Sequence, residues 1–156
     1  MNRVRVRVRV REGCHESREL GFGDDDSVSF DVYLQDFSDA PADRSASVGT
    51  SLLAPMLDTT GENVVTADGG AAVYGADEVP LYGLMFNHVE GDLVWDVIYA
   101  AAVAGDWVVM PVDGPLSIVD ERQVDYIPDE LRELGVTLVR SGRELRVAAT
   151  LDAETL

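Results

Sequence analysis

Hydrophobic and polar residues alternate strictly at two places early in the chain. Arginine and valine alternate over residues 3–11, so a strand there would carry four valines on one face and five arginines on the other. A second alternation places Asp31 opposite a row of apolar side chains formed by Val28, Phe30, Val32 and Leu34. The two strands could pair across residues 12–27, and in that arrangement Asp31 faces the arginines. This interpretation favours internal ion pairing and protection of a strand edge, and a basic partner-binding face is the alternative.

The longest apolar stretch predicts a buried helix over residues 92–104. Asp92 is expected to accept hydrogen bonds from the first amides of this helix, and Gly105 to supply a left-handed residue at its end. A short helix is predicted over residues 128–134, with Pro128 at its start and Gly135 at its end.

Short β-prone runs separated by turn residues predict hairpins. One hairpin is expected around Asp68-Gly69-Gly70, one at the turn 113–114 between runs 107–112 and 116–119, and one at Ser141-Gly142 between runs 136–140 and 143–149. Residues 36–50 are polar without apolar periodicity and predict a long mobile loop. Pro55 would interrupt a helix in the apolar run that follows this loop, so only a short turn is expected there.

These elements predict an α+β fold, with a mainly antiparallel sheet built from hairpins and with the two helices named above. In total, the sequence predicts about eight or nine short strands. A chain of 156 residues is expected to form a single globular domain over residues 1–156.

The net charge of the chain argues against some classes of binding partner. The chain has 29 acidic residues against 12 basic ones, all of them arginine, for a net charge of −17. Such a field repels phosphates and anionic lipids, which argues against direct binding to nucleic acid or membrane. The longest apolar run is shorter than the roughly 20 residues of a membrane span. One cysteine and a start without a signal-peptide pattern favour a cytoplasmic location.

Candidate catalytic and metal-binding residues are few. Cys14 and His15 are adjacent, and neighbouring side chains on an extended segment point to opposite sides, so they do not predict a nucleophile and its base. The run Asp24, Asp25 and Asp26 lacks the spacing of a calcium loop, and one cysteine with two distant histidines makes no zinc site. No catalytic residue, metal or other cofactor is therefore expected.

Two explanations account for the acidity. In the first, the carboxylates form a surface that binds a basic protein, as an inhibitor, an immunity protein or an antitoxin does when it neutralises a toxin, nuclease or nucleic-acid-binding protein. In the second, the composition reflects adaptation to high salt or a GC-rich genome, since lysine is absent throughout. The second explanation says nothing about function.

The sequence favours a small acidic protein-binding domain. Its contact residues are expected in segments without apolar periodicity, namely Asp24, Asp25, Asp26, Asp36, Asp39 and Asp43. The alternative is an enzyme or ligand-binding domain that uses His88, Glu90 and a carboxylate such as Asp113 or Asp120. Helix capping is the simpler role for the polar residues around His88.

Overall fold

A computed structural model describes residues 30–112 and 114–150, and its centre is one seven-stranded sheet. The strands are β1 (Phe30–Gln35), β2 (Asn63–Thr66), β3 (Gly69–Tyr74), β4 (Gly83–Glu90), β5 (Val108–Pro111), β6 (Leu116–Ile118) and β7 (Val136–Leu138). Their order across the sheet is β2-β3-β4-β1-β5-β6-β7. Neighbouring strands are antiparallel except for β6 and β7. The predicted α+β class with a mainly antiparallel sheet is confirmed.

The helices are α1 (Leu93–Gly105), α2 (Asp129–Arg132) and α3 (Gly142–Thr150). A π-helical segment (Ser45–Leu53) and two 3-10 segments (Ala54–Met56 and Glu121–Tyr126) complete the described structure. The helix predicted over residues 92–104 is confirmed as α1. The short helix predicted over residues 128–134 is found as α2, and Gly135 follows it with a φ of 97°. None of the described helices combines the length and the apolar character that a membrane crossing requires.

β1 lies in the middle of the sheet, which bears on one pairing considered from the sequence. It pairs with β4 on one edge, and residues 32–35 pair with β5 on the other. No edge of residues 32–35 is therefore free for a strand formed by residues 3–11, and the pairing considered above is excluded at these residues. Alternation identifies a strand but does not rank its partners, and here both partners come from later in the chain. Residues 3–11 lie outside the described part.

Apolar side chains on both faces of the sheet are buried, but by different elements. Val32 and Leu34 of β1 belong to the same buried cluster as Ile98 of α1 and Leu145 of α3, which places both helices on the first face. On the second face, a smaller cluster joins β5, β6 and β7 to the second 3-10 segment and α2; its buried members are Val108, Leu116, Ile118 and Ile127. α1 and α3 therefore cover the first face, and the second 3-10 segment together with α2 covers part of the second.

Residues 143–149 form a helix instead of the predicted strand. The Ser141 hydroxyl accepts a hydrogen bond from the Glu144 amide (3.0 Å), and the Glu144 carboxylate accepts one from the Arg140 amide (3.2 Å). Leu145, Ala148 and Ala149 are buried at helical spacing. The Ser-x-x-Glu pattern of a helix start therefore overrides the hairpin reading of Ser141-Gly142.

Residues 36–50 are not one long loop, because the π-helical segment begins at Ser45. Val48 and Leu53 are completely buried in the main core. Gly49 makes this packing possible: a Cβ atom at this position would lie 2.7 Å from the carbonyl oxygen of Ala76. The small polar residues around Val48 hide this apolar spacing in the sequence.

Both ends of α1 differ in detail from the prediction. Its first amides donate to the carboxylate of Asp68 in the β2–β3 turn (Asp92 N, 2.7 Å; Leu93 N, 3.3 Å), whereas the Asp92 side chain makes no capping hydrogen bond. The left-handed residue at the other end is Asp106 (φ 56°). Gly105 is the last residue of the helix, where a Cβ atom would lie 2.8 Å from Cε3 of Trp107.

Candidate partner-binding surface

Three of the six carboxylates predicted to contact a partner lie on one segment, residues 36–44, between β1 and the π-helical segment. Asp39 and Asp43 are exposed, and Asp36 is half-buried. Asp24, Asp25 and Asp26 lie outside the described residues. The structure thus brings Asp36, Asp39 and Asp43 to the end of the sheet where β1 finishes.

The Asp43 carboxylate anchors this segment to the chain that precedes β4. One of its oxygens accepts hydrogen bonds from the backbone amides of Ser45 (2.8 Å) and Leu81 (2.9 Å). These amide donors hold the pKa of Asp43 below its usual value, because they stabilise the ionised form. The Leu81 amide has the largest effect. The two hydrogen bonds therefore favour the ionised carboxylate and hold it in position.

Asp36 shapes the first turn of the segment. Its carboxylate accepts hydrogen bonds from the amides of Ser38 (2.8 Å) and Ala42 (3.4 Å), and its own amide donates to the carbonyl of Tyr82 (3.1 Å). Asp39, by contrast, takes part in none of the hydrogen bonds or ion pairs found among the described residues. Its exposed side chain is free to meet a partner.

Three further carboxylates lie at the same end of the sheet. Asp106 precedes β5, while Asp120 and Glu121 follow β6, and antiparallel pairing of these strands places all three near the end of β1. Asp36 and Asp106 line one shallow depression together with Phe37, Ser38, Val108, Gln123 and Tyr126. We call the set Asp36, Asp39, Asp43, Asp106, Asp120 and Glu121 the acidic end.

One arginine offsets part of this charge. Arg122 contacts Asp106 (Nη2 to Oδ1, 2.9 Å) and Asp120 (Nε to Oδ2, 3.3 Å). Its pKa is raised further above an already high value, first by the hydrogen bond to Asp106. Among the described residues, no ion pair involves Asp36, Asp39, Asp43 or Glu121. The acidic end therefore keeps a net negative charge.

The sequence identified the acids on residues 36–43 but did not place Asp106, Asp120 and Glu121 beside them. The missing information was strand order. An acid that follows one strand and an acid that precedes its antiparallel neighbour meet at the same edge of a sheet, but only the pairing shows which strands are neighbours. Asp120 entered the sequence analysis only as a possible catalytic carboxylate.

The residues of the alternative catalytic site are separated. His88 sits in an irregularity of β4, with a φ of 53°, beside the beginning of β1, because Val89 pairs with Phe30. Asp120 lies beyond the other end of β1, where it shares Arg122 with Asp106. His88 does not line the depression described above. Asp113 lies outside the described residues.

The described residues contain no group of three or more His, Cys, Asp or Glu side chains arranged to hold a metal ion. Comparison of the chain with models of protein families, with curated proteins and with solved structures gave no match. The functional argument therefore depends on the geometry and charge of the surface itself.

Proposed function

We propose that this protein binds a basic protein and neutralises it through the acidic end, in the manner of an inhibitor, an immunity protein or an antitoxin. The observation that carries the proposal is the convergence of six carboxylates from three chain segments at one end of the sheet, where Arg122 pairs with two of them. The partner would be a toxin, a nuclease or a nucleic-acid-binding protein, whose basic surface complements these carboxylates.

Two physical features support this function. The net charge of −17 creates a field that accelerates encounter with a basic partner, toward about 10⁸–10⁹ M⁻¹s⁻¹ at low salt. Backbone amides already hold Asp36 and Asp43 in place, so these groups lose little conformational freedom on binding. A preorganised acidic surface of this kind needs no catalytic residue.

The test compares two variants with the same loss of charge. The first carries Asp39→Asn, Asp106→Asn and Glu121→Gln in the acidic end. The matched control carries Glu90→Gln, Glu130→Gln and Glu133→Gln, which are exposed acids elsewhere on the described surface. The probe is an arginine peptide of defined length, and its association rate with each variant is measured by stopped-flow fluorescence over a series of salt concentrations.

We expect the acidic-end variant to associate several-fold more slowly than the control at low salt, with the difference disappearing at high salt. Equal rates for the two variants would show that the charge acts diffusely and would overturn the site assignment. Thermal unfolding of both variants serves as the check that each remains folded.

Adaptation of the composition to salt is the second candidate explanation, and the wide distribution of exposed acids favours it. Glu62, Asp77, Glu78, Glu130 and Glu133 are all exposed away from the six residues of the acidic end. If the acids serve the solvent, the chain folds only in multimolar salt, as circular dichroism across a salt series would show. A chain fully folded at low salt would rule out adaptation to salt as the explanation of the charge.

A further inference from the structure

The second face of the sheet carries an exposed row of aromatic and apolar side chains. Tyr33 of β1 pairs with Met85 of β4, and Met85 pairs with Tyr74 of β3, so the three residues lie side by side across three strands. Tyr33 is 39% exposed and Tyr74 is 55% exposed. Val65 of β2, which is 58% exposed, lies on the same face but farther along the strands, because it pairs with Gly70 of β3. We call these four residues the tyrosine face.

No described helix packs over the tyrosine face. The alternating partners of its members, such as Val32, Val64 and Val73, point to the first face and into the main core. On the second face, the 3-10 segment and α2 cover β5, β6 and β7 only. Tyr33, Tyr74 and Val65 therefore remain exposed on this part of the sheet, a feature that marks an interaction surface.

One unsatisfied acceptor accompanies the tyrosines on this face. Asn87 follows Met85 at a spacing of two, and its side-chain oxygen is buried without a hydrogen-bond partner. A buried unsatisfied acceptor is costly, so the face favours an occupant that brings hydrogen-bond donors. An arginine side chain supplies donors and also stacks on tyrosine rings.

We propose that the tyrosine face is the docking site of the chain's own arginine segment, residues 3–11. This segment carries five arginines and no acid, which complements the negative charge of the remaining chain. Both edges of β1 are occupied at residues 32–35, which leaves the face of this strand accessible there but not its edges. The alternating valines supply apolar contacts that match Met85 and Val65.

The connection is long enough for this docking. Residues 12–29 reach at most about 60 Å when extended, whereas the four strands from β1 to β2 span about 15 Å. Attachment in the same chain gives the segment a local concentration on the order of millimolar, which a separate partner must exceed to compete. The covalent link thus favours this occupant over a free basic peptide.

Two methionine methyl groups can be observed by NMR, one on each face of the sheet. Met85 belongs to the tyrosine face, and Met56 packs against the main core on the first face. A nitroxide spin label is attached to Cys at position 8 (Val8→Cys in a Cys14→Ser background), and the methionine methyl signals are recorded by NMR in the full chain. The matched control carries the label at the exposed position 147 of α3 (Val147→Cys, same background).

The expected result is loss of the Met85 methyl signal with the label at position 8 and its retention with the label at position 147. Changing Arg5, Arg7 and Arg9 to Gln should restore the Met85 signal in the labelled chain, whereas the same change at Arg132, Arg140 and Arg143 should not. An unaffected Met85 signal with the label at position 8 would overturn the proposal.

A mixing experiment separates docking within one chain from exchange between copies. Isotope-labelled chains without a spin label are mixed with spin-labelled chains without isotopes, and an unchanged Met85 signal is the result expected. Loss of this signal would show instead that a second copy supplies the segment. The outcome is independent of the proposed partner binding, which is measured at the acidic end with a different probe.

Discussion

Replacement of Gly142 by alanine tests the closest approach between α1 and α3. A Cβ atom at Gly142 would lie 2.7 Å from both the backbone nitrogen and the Cα atom of Asp96. The Oδ1 atom of Asp96 would be closer still. Because the obstructing atoms belong to a helix backbone, they cannot move aside without shifting α1. Overpacking of this kind typically destabilises by about 1–3 kcal/mol.

The higher helix propensity of alanine offsets at most about 1 kcal/mol, and less at the first residue of a helix. We therefore expect Gly142→Ala to lower the free energy of unfolding by about 2 kcal/mol, which corresponds to a decrease in Tm of roughly 4–8 °C in a chain of this length. Urea unfolding followed by circular dichroism measures this loss as a lower midpoint at unchanged slope.

Two further variants make the explanation refutable. Arg143→Ala changes the next, exposed position and should leave stability within about 0.5 kcal/mol of the original. Adding Asp96→Ala to Gly142→Ala removes the carboxylate but not the backbone atoms, so most of the loss should remain. Full recovery in the double variant, or a Gly142→Ala protein as stable as the original, would show that the helix backbones are not in tight contact.

Three other predictions follow from local contacts. Ser141→Ala removes the acceptor at the start of α3 and should destabilise by about 0.5–2 kcal/mol in urea unfolding. Gly105→Ala forces the Trp107 ring to move and should alter the near-ultraviolet circular dichroism as well as lower the urea midpoint. The pKa of Asp68 is lowered, first by the Asp92 amide, so its stabilising effect is present above the unfolded-state value near 3.8 and is lost as pH falls through the folded-state pKa. Asp68→Asn should therefore reduce the loss of stability on acidification, measured by urea unfolding from about pH 5 to about pH 2.

Local patterns in the sequence predicted much of the fold. The alternation at Val32 and Leu34 identified β1, and the apolar run identified α1 within one residue of its start. These signals succeed because strand and helix periodicity depend on neighbouring residues alone. The hairpin of β2 and β3 was also recognised, although its turn is at Ala67 and Asp68, one residue earlier than the glycine pattern indicated.

Long-range contacts explain what the sequence did not reveal. The cap of α1 comes from Asp68, which is 24 residues before Asp92, so no inspection of the helix start could identify it. The acidic end likewise depends on strand order, which brings Asp106 beside Asp36. The error at residues 143–149 has a different origin, because Ser141 and Glu144 form a local helix-start signal that competed with a hairpin signal at the same place.

The central position of β1 has a consequence for how the chain acquires its structure during synthesis. This strand is the first of the seven to leave the ribosome, but its two neighbours, β4 and β5, are completed only at residues 90 and 111. Its backbone must therefore wait for β4 while about half of the described chain is made, and for β5 still longer. Slow, non-local assembly is the expected result, and an unpaired apolar strand is exposed to aggregation during that interval.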